Sequence, residues 1–91
     1  MTFEFDFSDE LKEIINALNY KDKKTAERIN KKVKEIINCD LQTINHYKNL
    51  RYDLKDRKRV HIGHFVLTFK VYKEKNYIFF VDFLHHDDIY K

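Results

Sequence analysis

The chain has 91 residues, 43% hydrophobic and 15% aromatic, with a formal net charge of +3. That length suits one small domain, read as residues 1–91, and eight Phe and six Tyr supply more apolar surface than a disordered chain carries. A single cysteine, Cys39, excludes an internal disulfide and a cysteine-built zinc site and points to a reducing cytoplasm. No apolar run approaches the roughly 18 residues of a membrane span, and the acidic, alternating start "MTFEFDFSDEL" is unlike a signal peptide.

Phe3, Phe5 and Phe7 alternate with Glu4 and Asp6, the period of a half-buried strand. Ser8 offers an N-cap, and Asp9 and Glu10 put negative charge in the first helical turn, where the helix dipole favours it. Leu11, Ile14, Ile15 and Leu18 then recur at helical spacing, with a break predicted between Asn19 and Asp22. A second helix is predicted from Lys23 to about Asn38, with Ala26, Ile29, Val33, Ile36 and Ile37 on one stripe and Lys and Glu opposite. Two helices in succession imply an αα-hairpin.

From Leu50 onward the period returns to two. Val60 and Ile62 alternate with Arg59 and His61, and Gly63 permits a turn. Phe65, Leu67, Phe69 and Val71 then alternate with His64, Val66, Thr68 and Lys70. "KEKN" reads as a hairpin loop, and "YIFFVDFL" is apolar on both faces, as a central strand should be. The predicted class is α+β in the order β-α-α-β-β-β: two N-terminal helices packed on one face of an antiparallel sheet of about four strands. The helices are expected to cover Phe65, Leu67 and Phe69. Arg59, His61, His64 and the end of the chain fall to the other face.

Residues 48–59, "KNLRYDLKDRKR", carry a net charge of +4 against −1 for all the rest, so the positive excess is read as lying there. Lys48, Arg51, Lys55, Arg57, Lys58 and Arg59 are candidate phosphate contacts, with Tyr47 and Tyr52 interleaved to stack bases. A solvated strand edge is the plainer alternative.

Four of the five histidines, His61, His64, His85 and His86, lie in the last third of the chain. Imidazole gains and loses protons near neutrality. Attack by an RNA 2′-oxygen on its own phosphate needs a base for the 2′-OH and an acid for the departing 5′-oxygen. It also needs cations around the charge-rich transition state. Histidines beside Arg and Lys supply all three, so no metal or other cofactor is expected. A zinc-like set of His61, His64, His86 and Asp87 or Asp88 is the competing reading, and isolated surface histidines are a third. Against zinc, no H-x-x-x-H spacing exists, and His85 and His86 diverge in an extended tail. Ile89 and Tyr90 are expected to fold the tail back and anchor His86. Cys39 is read as core or helix-end packing. Asp82, on a central strand, either pairs with a His or Arg or faces the open side.

The stretches "LKDRKRVHIGHFVLTFKV" and "IFFVDFLHHDDIYK" resemble the C-terminal half of RelE/ParE-superfamily toxins from type II toxin–antitoxin pairs. The shared pattern is a basic strand ending in a glycine turn, an aromatic, a β-hairpin, and a tail with a His or basic residue before a terminal aromatic. Residues 50–91 carry the resemblance, and residues 1–49 match in the order strand, helix, helix. It implies a cytoplasmic toxin that cuts mRNA on the ribosome without a metal. Such a toxin is a monomer within a hetero-oligomer, held inactive by a cognate antitoxin. The YafQ-like, histidine-using branch is nearest: His86 stands four residues before Tyr90, and His61 lies in the basic strand. Val66 stands where many members have arginine, a position that is aliphatic in that branch, and His64 replaces the branch's Asp. The implied roles are His86 as acid or base, His61 as its partner with His64 beside it, and Tyr90 orienting substrate or tail. Arg57, Lys58 and Arg59 would hold phosphate. The alternatives are a ParE-like or degenerate toxin acting by binding alone, for example on DNA gyrase, and a metal-dependent nuclease.

Overall fold

The computed structural model describes residues 2–48 and 57–89. Strand β1 (Glu4–Phe7) leads into helices α1 (Asp9–Lys21) and α2 (Lys23–Ile37) and a single turn, α3 (Leu41–Ile44). Strands β2 (Lys58–Ile62), β3 (Phe65–Tyr72) and β4 (Tyr77–His85) follow, and a last turn, α4 (His86–Ile89), closes the described chain. The expectations placed on Arg51, Tyr52, Lys55, Tyr90 and the side chain of Ile89 lie outside the described residues.

Short polar side chains set the helix boundaries. The Ser8 hydroxyl accepts from the Leu11 amide at 3.1 Å and starts α1. Asp22 ends α1 and begins α2: its amide donates to the Leu18 carbonyl, and its carboxylate accepts from the Thr25 amide and hydroxyl at 3.2 and 2.6 Å. One residue therefore makes the whole turn, and α1 runs on through Asn19–Lys21 because nothing there stops it. Asp40 caps α3 through the Thr43 amide at 2.7 Å. The Thr25 hydroxyl and amide hold the Asp22 carboxyl below its ordinary pKa, and the Thr43 amide does the same for Asp40.

The apolar stripes meet as their spacing requires. Leu11 from α1, Ala26, Ile29, Val33 and Ile36 from α2, and Ile44 from α3 are buried, as are Leu67, Phe69, Ile78, Phe80 and Phe83 of the sheet. Phe69 and Phe80 lie on neighbouring strands with ring centroids 5.7 Å apart. The strand order is β1-β4-β3-β2. Consecutive strands form antiparallel hairpins, β2 with β3 and β3 with β4. Strand β1 departs from the expected antiparallel pattern and lies parallel to β4. No hairpin fixes its direction, because two helices separate it from the next strand in the chain. Its docking is fixed at both ends: the Phe3 amide donates to the Ile37 carbonyl at 2.7 Å, the Glu4 amide to the Asn76 carbonyl at 3.0 Å, and the Ser8 amide to the Phe80 carbonyl at 2.9 Å.

Strand β4 contains one residue too many. Thr68 faces Asp82 and Phe69 faces Phe80, so Val81 is a bulge with no opposite number on β3. The groups this frees find side-chain partners. The Ser8 hydroxyl donates to the Val81 carbonyl at 2.6 Å, and the Thr68 hydroxyl accepts from the Asp82 amide at 3.1 Å. The bulge keeps Ile78, Phe80 and Phe83 on the helix side and turns Asp82 to the other face.

Two outcomes are expected. Ser8→Ala removes a helix cap and a partner of the bulge together, and should lower unfolding free energy by about 1–2 kcal/mol with an unchanged denaturant slope in urea. Asp22 and Asp40 have folded pKa values below their unfolded ones. Their contribution is complete above the ordinary carboxylate range and is lost as pH falls through the folded values. The Asp22→Asn/Asp40→Asn variant should lose less stability than the parent below about pH 4 in urea midpoints measured across a pH series.

Candidate functional site

Alternation along β2 sorts the basic segment by face. Val60 and Ile62 pack with the core, so Lys58 shares the helix side while Arg59 and His61 point to the open face. Lys58 is accordingly turned away from Arg59. Its Nζ donates to the Tyr47 carbonyl at 3.1 Å, and burial, with Lys73 nearby, pushes its pKa down. Tyr47 meets Phe69 edge-on, centroids 5.6 Å apart, and burial raises its phenol pKa. It is core packing rather than a surface stacking ring. Lys48 is exposed, and its carbonyl accepts from the Arg59 amide at 2.9 Å, tying the loop to the outer edge of β2.

Asp82, delivered to the open face by the bulge, meets Arg57: Nη1 donates to Oδ2 at 3.3 Å, and both side chains are about three-quarters buried. This is the Asp–Arg pairing the strand position allowed. The buried Arg57 Nε has no acceptor among the described residues. On the same face His61 pairs across the sheet with Val66, which pairs with Leu84. Val66 is fully buried, so the position at which the resemblance would place an arginine is here an apolar floor.

The four histidines of the last third stack in two pairs, and the Asp87 carboxylate lies 3.7 Å from both His85 Nδ1 and His86 Nδ1. His61 and His86 are stacked with centroids 5.6 Å apart and planes 29° apart. His64 and His85 are stacked at 6.4 Å and 19°. The neighbours His85 and His86 are divided because the strand ends between them. His85, opposite Phe65, meets that ring edge-on at 5.6 Å, and its Nδ1 accepts from the Asp87 amide at 3.3 Å. His86 opens α4, and its amide donates to the His64 carbonyl at 2.9 Å. A helical turn thus replaces the expected extended tail and carries His86 back over the sheet to His61. Among the described residues no three His, Cys, Asp or Glu side chains gather with metal-binding geometry. The proposed set of His61, His64, His86 and Asp87 or Asp88 is not assembled. Cys39 packs at the end of α2, where its thiol donates to the Glu35 carbonyl at 3.3 Å and burial raises its pKa.

One group escaped the sequence reading. Helix α2 carries Lys23, Lys24, Arg28, Lys31, Lys32 and Lys34 against Glu27 and Glu35, a net of +4 equal to that of residues 48–59. Acidic residues elsewhere hide it in the tally for the remainder, and a sliding charge window would have found it. Arg28 reaches the β2–β3 turn. Gly63 has φ +63°, and a Cβ built there would lie 3.4 Å from the Arg28 guanidinium, so the bare backbone leaves that group room.

Comparison with known proteins fits this architecture to a family. The family model described as the ParE toxin of the type II toxin–antitoxin system, parDE, matches residues 3–90. The chain belongs to the RelE/ParE superfamily of toxins. A Methanocaldococcus jannaschii protein named "Putative toxin RelE4" is 46% identical over 90 residues, covering 98% of this chain and 92% of that one. An uncharacterized Methanosarcina mazei protein is 40% identical over 82 residues, covering 89% and 91%. The fold also matches a chain in the crystal structure of the toxin–antitoxin complex RelBE2 from Mycobacterium tuberculosis. That match has TM-score 0.62 and 18% identity, covering 94% of this chain and all of that one. In this toxin no helix among the described residues is long and apolar enough to cross a membrane.

The Arg57–Asp82 pair should show coupling. A double-mutant cycle of Arg57→Ala and Asp82→Ala, followed by urea unfolding, should give about 1–2 kcal/mol. That lies above a solvent-exposed pair and below a fully buried one.

Proposed function

We propose that this toxin cleaves mRNA on the ribosome by proton transfer between its own imidazoles and the RNA backbone. The observation that carries this reading is the stacked His61–His86 pair on the face that also holds Arg57 and Arg59. One imidazole takes the 2′-OH proton as that oxygen bonds to the adjacent phosphorus. The other donates a proton to the 5′-oxygen as its bond to phosphorus breaks. The products are a 2′,3′-cyclic phosphate and a 5′-hydroxyl, and exchange with water restores both imidazoles. The guanidinium groups of Arg57 and Arg59 stabilise charge on the non-bridging oxygens, and Asp82 orients Arg57. Lys58 turns to the Tyr47 carbonyl and the His64 ring stacks on His85, so the reading assigns them no proton transfer or phosphate contact. Tyr90 keeps the orienting role that the resemblance implies.

The partner expected from the family is an antitoxin, as in the RelBE2 complex. A chain that orders on the toxin and covers the basic strand or displaces α4 would suppress the activity. A second reading, binding without cleavage in the ParE manner, is favoured by one specific feature, the apolar Val66 at the centre of the site.

His61→Ala and His86→Ala should each reduce single-turnover cleavage of ribosome-bound mRNA by about 10²- to 10⁴-fold. Cleavage sites are mapped by primer extension. Full cleavage by His86→Ala would remove this residue from the mechanism. An intact transcript together with inhibited gyrase supercoiling would replace this reading with the second.

A further inference from the structure

The histidine pair does not end at the strand edge. A shallow groove of about 270 Å³ opens between α2 and β2, lined by Arg28, Lys31, Lys32, Glu35, His61 and Ile62. His61 is thus shared by the groove and the pair it forms with His86. Glu35, the one carboxylate lining the groove among the described residues, is occupied: Lys32 Nζ donates to it at 2.8 Å and lowers its pKa. Arg28 acts through space on the Asp22 carboxylate and Lys31 on that of Glu35, each a minor cause of the lowered pKa there. Arg28 and Lys31 are spaced i, i+3 and so share a helix face. Arg28 extends to the turn at Gly63, two residues from His61.

We propose that this groove carries the backbone of the RNA strand flanking the cleaved phosphate, with Arg28 and Lys31 as its phosphate contacts. The inference rests on the RNA-cleaving reading and extends it to a path across two elements. Cations on β2 act at the reacting phosphate, and cations on α2 hold its neighbours. Such contacts fix the register of the strand without reading its sequence. Helix α2 is a fifteen-residue helix anchored in the core through Ala26, Ile29, Val33 and Ile36, so its cations present from a fixed support.

The test is equilibrium binding of a single-stranded 2′-O-methyl RNA, which lacks the nucleophilic hydroxyl, measured by fluorescence anisotropy across a salt series. Arg28→Gln/Lys31→Gln should bind more weakly than the parent. It should also flatten the slope of log K against log salt by about 1.4, the loss of two single-strand phosphate contacts. Arg28→Lys/Lys31→Arg should keep the parent slope. Lys34→Gln removes the same kind of charge outside the groove and should leave the slope unchanged. An unaltered slope in the double Gln variant, or equal flattening by Lys34→Gln, overturns the groove and leaves the cleavage reading standing. Absence of RNA binding by the parent at low salt also overturns the groove, whereas the cleavage reading falls only with the assay on ribosome-bound mRNA.

Discussion

The open face of this toxin depends on the single extra residue in β4. With strict alternation after Phe80, Asp82 would point into the layer formed by Phe69, Phe80 and Phe83. An unpaired carboxylate there would be expelled or protonated, at a cost of several kcal/mol. The bulge at Val81 resets the alternation, leaves Phe83 in the core and brings Asp82 beside Arg57. It persists because two hydroxyls, from Ser8 and Thr68, satisfy the carbonyl and amide that the slip removes from the ladder. Through Asp82, Arg57 is held on the same face of the sheet as His61.

Much of the fold was legible because it follows from spacing. The period of two in β1, β2 and β3 and the helical stripes of α1 and α2 appear in the structure at nearly the expected residues. The cap at Ser8 and the loop at "KEKN" do too. What escaped has no period. Turns as short as α3 and α4 give no stripe, although Asp40 followed by Thr43 is a capping signal. A bulge is invisible in a run that is apolar on both faces. The direction of β1 is set by docking, not by any local turn.

The site was legible in its parts and not in its assembly. His61 and His86 were expected to converge, and they do, but through a helical turn rather than an extended tail. His64 was grouped with them; its ring instead stacks on His85, while its carbonyl accepts from the His86 amide. Lys58 was counted among the candidate phosphate contacts, yet the same alternation that exposes Arg59 turns Lys58 inward to the Tyr47 carbonyl. Asp82 was recognised as out of place, and Arg57 accounts for it. The charge of α2 was missed because one total for everything outside residues 48–59 let acidic and basic elements cancel.

The parallel pairing of β1 with β4 has a consequence for how the chain comes together during its own synthesis. Ser8 and Val81, joined by a 2.6 Å hydrogen bond, are 73 positions apart, and the ladder partners of Glu4–Phe7 are Tyr77–Phe80. The first strand to emerge therefore waits for nearly the last, and such distant contacts form late in folding. Until then the phenylalanines at the amino end have no sheet to join. The four-stranded sheet of a nascent chain is thus completed only when β1 finds β4.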